Sequence, residues 1–285
     1  MKIIRKVQEM IDFSETNHQQ DKLIGFVPTM GFLHQGHLSL MKLIRDQVDV
    51  LIISIYVNPK QFGPQEDFKK YPRDEQRDIN LVKPLVDVVF IPESDDIYPP
   101  RYDTFVQVEE LSKPLCGKSR PGHFGGVTTV VARLFGIVKP DIAVFGQKDY
   151  QQSLIIKRMV EDLNLGVKIQ VGPIIREPDG LALSSRNIYL DEQQRKRAQE
   201  INQGLALGEK LMKQGETDID QIISAMTELI SGHDLNIEYL EILDSSNLQE
   251  VSSMTEQVII AAAVLVDNIR LIDNRLVDVD RKLEE

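Results

Sequence analysis

Apolar and polar positions change their rhythm part-way along the chain. From Leu23 to about Ile175, apolar runs of strand length alternate with helical stretches. Leu23–Val27 is a short apolar run ending at Pro28. Val48–Val57 is nearly continuous and rich in β-branched residues, the composition of a strand covered on both sides. Asp87–Ile91, Ile142–Phe145 and Val167–Val171 repeat the strand theme. A helical pattern begins at His37, with Leu38, Met41 and Ile44 on one face, and Val127–Val138 and Tyr150–Leu163 also read as helices. This alternation predicts an α/β domain: a doubly wound parallel sheet with helices on both faces, joined by right-handed crossovers. In such sheets ligands sit beyond the carboxyl ends of the strands, so the loops that follow strands are the places to look for chemistry.

After the turn-like Glu177-Pro178-Asp179-Gly180 the texture differs. Asp191–Gln214 reads as a long helix with Asp191 as its N-cap, and Ile219–Ser231 as a second. Three strand-like runs follow, Ile237–Leu243, Val258–Val266 and Ile269–Ile272, with Asp267-Asn268 as the turn of a hairpin between the last two. The chain therefore divides near Arg176, giving a first domain of residues 1–176 and a smaller α+β domain of residues 177–285.

Composition narrows the classes of function. The net charge is −11, from 44 acidic and 33 basic residues, which argues against a nucleic-acid partner because phosphate backbones call for basic patches. A small anionic substrate stays compatible, since salt screens distant surface charge over about 10 Å. No apolar run approaches the ~20 residues that span a bilayer, and the start of the chain, which turns polar at Gln8, Glu9 and Asp12, lacks a signal-peptide core. With one cysteine, Cys116, no internal disulfide can form. A cytoplasmic protein with no membrane partner is the expectation.

Five stretches could carry chemistry. Pro28 to His37 (PTMGFLHQGH) follows a strand and opens a helix. Gly31 and Gly36 let backbone approach a ligand, the helix start offers N–H groups, and His34 and His37 can reach neighbouring phosphate oxygens. The same histidines could simply cap the helix, and a zinc site would need ligands from a second cluster that the sequence lacks. Phe145 to Gln152 (FGQKDYQQ) also ends a strand and opens a helix: Lys148 could reach a phosphate, Asp149 could hold Mg²⁺, and Gln152 could bind a hydroxy acid. Asp149 as a cap beside a solvated lysine is the alternative. Leu183-Ser184-Ser185-Arg186-Asn187 offers two hydroxyls and a guanidinium for an oxyanion, or else is a serine-rich loop before the helix at Asp191. Asn58 and Gln61, after the most apolar strand, are neutral hydrogen-bonders suited to reading a small polar substrate, and the polar loop to Arg73 could act as a lid. Ser119 to Val127 (SRPGHFGGV) pairs a Gly-Gly helix start with Arg120 and His123.

Taken together, these strings resemble one family. H-x-G-H after PTMG resembles the nucleotidyltransferase superfamily that includes the class I aminoacyl-tRNA synthetases. VPTMGFLHQGH, VNPKQFG, YPRD, RPGHFGGV, FGQKDYQQ and REPDGLALSSRN resemble the pantoate–β-alanine ligases, over about Leu23 to Leu190. The resemblance implies a Rossmann-like first domain, a C-terminal domain acting as a lid, and a homodimer formed through the first domain. It also implies a reaction in which pantoate attacks the α-phosphate of ATP, releasing pyrophosphate, and β-alanine then displaces AMP from the pantoyl adenylate. Carried over, His34, His37, Lys148 and Arg186 would be catalytic, with His37 the candidate proton donor. Met30, Gly31, Phe32, Leu33, His34, Gln35, Gly36 and His37 would line the ATP site with Gly146, Gln147, Lys148, Asp149, Ile175, Leu183, Ser184, Ser185 and Arg186. Gln61 and Gln152 would hold pantoate, Gln61 would lie near β-alanine, and Asp149 would position Mg²⁺. Two positions depart from the family pattern: Gln147 stands where Glu is frequent, removing a carboxylate beside the metal residue, and Leu183 stands where Met is frequent, a swap that conserves volume. The alternatives are another H-x-G-H nucleotidyltransferase or a non-catalytic nucleotide-binding protein. The first would need added cations for a phosphorylated acceptor, and the second ought to have lost one of His34, His37, Lys148 or Arg186.

Overall fold

In the computed structural model, which describes residues 1–64, 66–231, 235–251 and 257–279, the alternating pattern becomes a six-stranded, wholly parallel sheet in the order β1-β4-β3-β2-β5-β6. Its strands are β1 (Lys2–Ile4), β2 (Ile24–Thr29), β3 (Val50–Ile55), β4 (Val88–Phe90), β5 (Ile142–Gly146) and β6 (Lys168–Gly172). The intervening helices are α1 (Val7–His18), α2 (Gln35–Arg45), α3 (Glu75–Val82), α4 (Ser94–Ile97), α5 (Cys116–Ser119), α6 (His123–Val138) and α7 (Tyr150–Asp162).

The near-continuous apolar strands are explained by burial on both faces. Alternate residues of one strand point to opposite sides. Phe26, Ile52, Phe90 and Phe145 join a core with Met10 of α1, Leu134 of α6 and Ile156 of α7. Their neighbours Val27, Leu51, Val89 and Val144 join a second core with Met41 of α2 and Ile79 of α3. The sheet is doubly wound, as the sequence predicts. Strand β2 lies between β3 and β5, and the chain builds outward from β2 in one direction before crossing to the other side at β5. The crevice between β2 and β5 is therefore the topological switch point, where α/β sheets collect their ligands.

The remaining residues form α8 (Glu192–Lys213), α9 (Ile219–Ser231) and a three-stranded antiparallel sheet of β7 (Asn236–Asp244), β8 (Gln257–Val266) and β9 (Ile269–Asp278). Asp191 caps α8 in a reciprocal box with Gln194, each side chain bonding the other's backbone N–H at 2.8 and 2.9 Å. The apolar faces of both helices close on the sheet around Leu205, Met226, Ile230 and Ile260. By its contacts the chain forms two units: Met1–Ser112, Arg120–Gln147 and Gln152–Ile174 make the first, and Lys113–Ser119, Lys148–Gln151 and Ile175–Glu285 the second. No helix among the described residues is long and apolar enough to cross a membrane.

Candidate active site

In the first unit, the loops after β2, β3 and β5 leave neighbouring strands at the same carboxyl edge. The loop after β2 carries Met30 to His34 and turns sharply. Gly31 at φ +81° and Phe32 at φ +48° are consecutive left-handed residues. A Cβ on Gly31 would lie 2.9 Å from Ile55 and 3.1 Å from Asp78, so glycine is required here by conformation and by space. Thr29 Oγ1 accepts the Gly31 N–H at 3.2 Å and donates to Ser54 O at 2.7 Å, tying the turn to β3.

Helix α2 opens at Gln35, two residues before the apolar pattern does, with His34 as its N-cap. His34 Nδ1 accepts the Gly36 N–H at 3.2 Å, and His37 Nδ1 accepts the His34 N–H at 3.2 Å. The capping reading of the histidines is the one these bonds show, and each of the two bonds uses the Nδ1 nitrogen of its ring. With each Nδ1 committed as an acceptor, the proton of each neutral ring resides on Nε2, which becomes a donor. The ring centroids are 4.0 Å apart, so the site carries two hydrogen-bond donors of fixed tautomer side by side. Leu33 is fully buried, His34, Gly36 and His37 are half-buried, and Gln35 is exposed.

Gln61 follows β3 in a short 3₁₀ turn, Pro59–Gln61, capped by Asn58. Its Nε2 donates to Met30 Sδ at 3.2 Å, which brings the β2 and β3 loops together. Its Oε1 accepts from Asn58 Nδ2 at 3.0 Å. The Gln61 carbonyl receives His123 Nδ1–H at 2.8 Å and Arg120 Nη2–H at 3.3 Å. Since Arg120 also donates to His123 Nε2 at 3.0 Å, His123 is held neutral with its proton on Nδ1. Glu66 grips Arg120 from the other side. Burial works to raise the Glu66 carboxyl, but the hydrogen-bonded guanidinium of Arg120 outweighs it and holds the group below its ordinary range. The Arg120–His123 pair, read from sequence as local positive character, is thus spent on fixing Gln61. Asn58 differs from the sequence reading: it is buried, and its amide is shared among Gln61, Gly126 O at 3.0 Å and Tyr98 OH at 2.9 Å, so it supports the Gln61 side chain and is itself withdrawn from solvent. Gly146 ends β5, Gln147 opens the 3₁₀ turn to Asp149, and Gln152 lies half-buried in the first turn of α7.

In the second unit, Lys148 is half-buried and Asp149 exposed. The Lys148 carbonyl accepts Asn274 Nδ2–H at 3.0 Å, and the Tyr150 hydroxyl donates to Ser245 O at 2.8 Å. Ile175 O accepts Leu183 N–H at 2.9 Å, and Arg176 bridges Ala182, so Ile175 and Leu183 face each other across the turn at Gly180. Arg176 pairs with the buried Asp273, next to Asn274 in β9, so two consecutive polar residues of one strand hold both segments. Ser184 caps the 3₁₀ turn Ser185–Tyr189 by accepting the Arg186 N–H at 3.3 Å, with Ser185 buried and Arg186 half-buried.

Asp78 and Arg77, on α3, are absent from the sequence reading. Asp78 is buried and accepts the N–H groups of Phe32 at 2.6 Å and Leu33 at 2.8 Å. Burial pushes its carboxyl above the ordinary aspartate range, and the two N–H groups and Arg77 pull it back in part. One signal was available: position 78 is i−4 to Val82, on the apolar stripe of a helix capped by Asp74.

No group of three or more His, Cys, Asp or Glu side chains suited to a metal ion occurs among the described residues. A lone Asp149 fits a Mg²⁺ ion that arrives with nucleotide phosphates, because Mg²⁺ is commonly held by one or two carboxylates plus substrate oxygens and water.

Fold and turns are those of a Rossmann-like α/β enzyme. A family model described as pantoate-beta-alanine ligase matches residues 2–276. The chain is 51% identical to the pantothenate synthetase of Thermotoga petrophila over 278 residues, covering 97% of this chain and 99% of that protein. Among solved structures, pantothenate synthetase from Thermus thermophilus matches with a TM-score of 0.91 at 40% identity, covering 96% of this chain and 99% of the other. The Francisella tularensis pantoate-beta-alanine ligase complexed with beta-gamma ATP and beta-alanine matches with a TM-score of 0.81 at 36% identity, covering 97% of each chain. The chain belongs to the pantoate–β-alanine ligase family and is an enzyme of that activity.

Proposed function

We propose that the chain makes pantothenate in two steps from ATP, pantoate and β-alanine. A pantoate carboxylate oxygen attacks the α-phosphorus, the bond to the β-phosphate oxygen breaks and pyrophosphate leaves. The amine of β-alanine then attacks the acyl carbon of the pantoyl adenylate and AMP leaves. The observation that supports this reading is the pair of Nδ1 bonds on His34 and His37, which assign the proton of each neutral ring to Nε2 and hold the rings 4.0 Å apart at the start of α2, the helix that follows the switch-point strand β2. Such donors stabilise negative charge as it builds on phosphate oxygens without moving during the reaction. In this scheme His37 hydrogen-bonds the departing pyrophosphate through its Nε2–H.

Met30 to His37, Gly146 to Asp149, Ile175 and Leu183 to Arg186 line the ATP site, Lys148 and Arg186 neutralise phosphate charge, and Asp149 is the protein ligand of Mg²⁺. The ion supplies charge neutralisation on the phosphates. Gln61 and Gln152 hold pantoate, and Gln61 also serves β-alanine. Neutral amides read hydroxyl and carboxylate geometry without leaving a buried charge in the empty site. An acyl adenylate hydrolyses in water, so a water-excluding lid is required, the role assigned to residues 177–285. The enzyme is a cytoplasmic homodimer in this reading.

Purified protein given Mg-ATP, D-pantoate and β-alanine should yield pantothenate, AMP and pyrophosphate in equal amounts by mass spectrometry. Pantothenate accompanied by ADP and phosphate would replace the adenylate with an acyl phosphate, and absence of pantothenate would reject the assignment.

A further inference from the structure

Consecutive left-handed residues, Gly31 and Phe32, turn the N–H groups of Phe32 and Leu33 to one side and form a concave anion-binding nest. At a strand-to-helix turn beside a switch point, such a nest commonly receives a substrate phosphate. Here the protein fills it with its own carboxylate: Asp78 Oδ2 takes Phe32 N–H at 2.6 Å and Oδ1 takes Leu33 N–H at 2.8 Å. Arg77 closes the arrangement. Its Nη1 lies 3.0 Å from Asp78 Oδ1, its Nη2 donates to Leu33 O at 2.8 Å, and its guanidinium stacks 4.8 Å over the Phe32 ring. Phe32 adopts a backbone conformation that bulky side chains seldom hold unless the surroundings impose it.

We propose that Asp78 is a positioning residue for the adenylation step: by occupying the nest of the Gly31–Phe32 turn, it sets the direction in which His34 and His37 present their rings. The inference rests on the role given to those imidazoles above. Each peptide from Gly31 to Gly36 except Gln35 has a bond that fixes its N–H: Gly31 to Thr29, Phe32 and Leu33 to Asp78, His34 to His37, and Gly36 to His34. Asp78 is the link in this series that comes from another element. It also takes the nest out of phosphate binding, which leaves that work to the side chains downstream.

The test is Asp78→Asn, which keeps the size of the side chain but can accept only through one oxygen and aims its NH₂ at the other donor. The two half-reactions are measured separately, as pantoate-dependent exchange of labelled pyrophosphate into ATP and as aminolysis of supplied pantoyl adenylate by β-alanine. Exchange is expected to fall about 10²-fold, the scale of a 1 Å misplacement of catalytic groups, with aminolysis and the KM for β-alanine unchanged. Equal loss in both half-reactions would mark Asp78 as structural only, and wild-type exchange would overturn the proposal outright. If Asp78→Asn fails to fold, Arg77→Gln decides: Arg77 is partly exposed and grips the same Leu33 peptide, and it should show a smaller loss confined to exchange. His37→Ala measured alongside separates the two ideas. Exchange retained in His37→Ala removes the reading of the imidazoles; exchange lost in His37→Ala but intact in Asp78→Asn removes the role of Asp78 alone.

Discussion

Asn58 and Gln61 lie three residues apart in one turn, and the first orients the second: Asn58 Nδ2 meets Gln61 Oε1 at 3.0 Å, which leaves Gln61 Nε2 directed at Met30 Sδ. In the role proposed for Gln61, an amide with its two ends assigned in advance loses little freedom on binding, which is how preorganisation raises affinity.

Asn58→Ala should therefore raise the KM for pantoate by about fivefold, corresponding to one net hydrogen bond of roughly 1 kcal/mol. It should also lower stability by about 2 kcal/mol, since Tyr98 and the Gly126 carbonyl lose a buried partner. Steady-state kinetics and urea unfolding check both parts. An unchanged pantoate KM would separate Asn58 from the orientation of Gln61.

The two glycines that open α6 should behave differently. A Cβ on Gly126 would sit 2.2 Å from Lys60 O and 2.8 Å from Gln61 Cα, whereas one on Gly125 meets nothing within 4 Å. Gly126→Ala is expected to cost about 1–3 kcal/mol through overpacking and to weaken pantoate binding as the Gln61 turn shifts. Gly125→Ala should leave activity unchanged and stability within about 0.5 kcal/mol of wild type. Thermal unfolding and pantoate titration of the pair distinguish close approach from mere backbone freedom.

Acid should loosen the Gln61 clamp through Glu66. Its folded-state pKa lies below the ordinary glutamate value of 4.5, so its contribution to stability is present above that value and is lost as pH falls through the lower folded value. Unfolding free energy measured against pH should decline below about pH 4.5, and Glu66→Gln should flatten that part of the profile. An identical acid limb in the variant would assign the decline to other carboxylates.

Strands β2 to β5 were legible because each is buried on both faces and so reads as an unbroken apolar run, the edge strand β6 was legible from Val167, Ile169 and Val171, and α8 was legible because Asp191 caps it. What escaped is polar residues doing internal work. Helix α3 carries Asp78 on its buried side, which reads as solvated surface until its partners Phe32 and Leu33 are known. Strand β9 continues to Asp278, beyond the Ile272 that the apolar run predicts, because Asp273 and Asn274 look like a turn yet are buried against Arg176 and the Lys148 carbonyl. Strand β1 is three residues long, too short to carry a period. The imidazoles were found by motif, but their tautomer needed the Nδ1 bonds.

Asp273→Ala should destabilise the protein by about 3 kcal/mol, because it leaves the Arg176 guanidinium without its charge partner. It should also lower turnover, since the neighbouring Asn274 holds the backbone of Lys148. Denaturant unfolding beside the rate of pyrophosphate exchange checks both effects, and wild-type stability would show the ion pair to be dispensable.

The most direct measurement is the pantoate-dependent exchange of labelled pyrophosphate into ATP, without β-alanine, in the wild-type enzyme and in His37→Ala. Exchange that requires pantoate and drops by about 10² or more, the scale of losing one preorganised donor, in a His37→Ala protein with wild-type unfolding behaviour is the expected result. Near-wild-type exchange in His37→Ala, or wild-type exchange indifferent to pantoate, would contradict an adenylation step built on the paired Nε2–H donors.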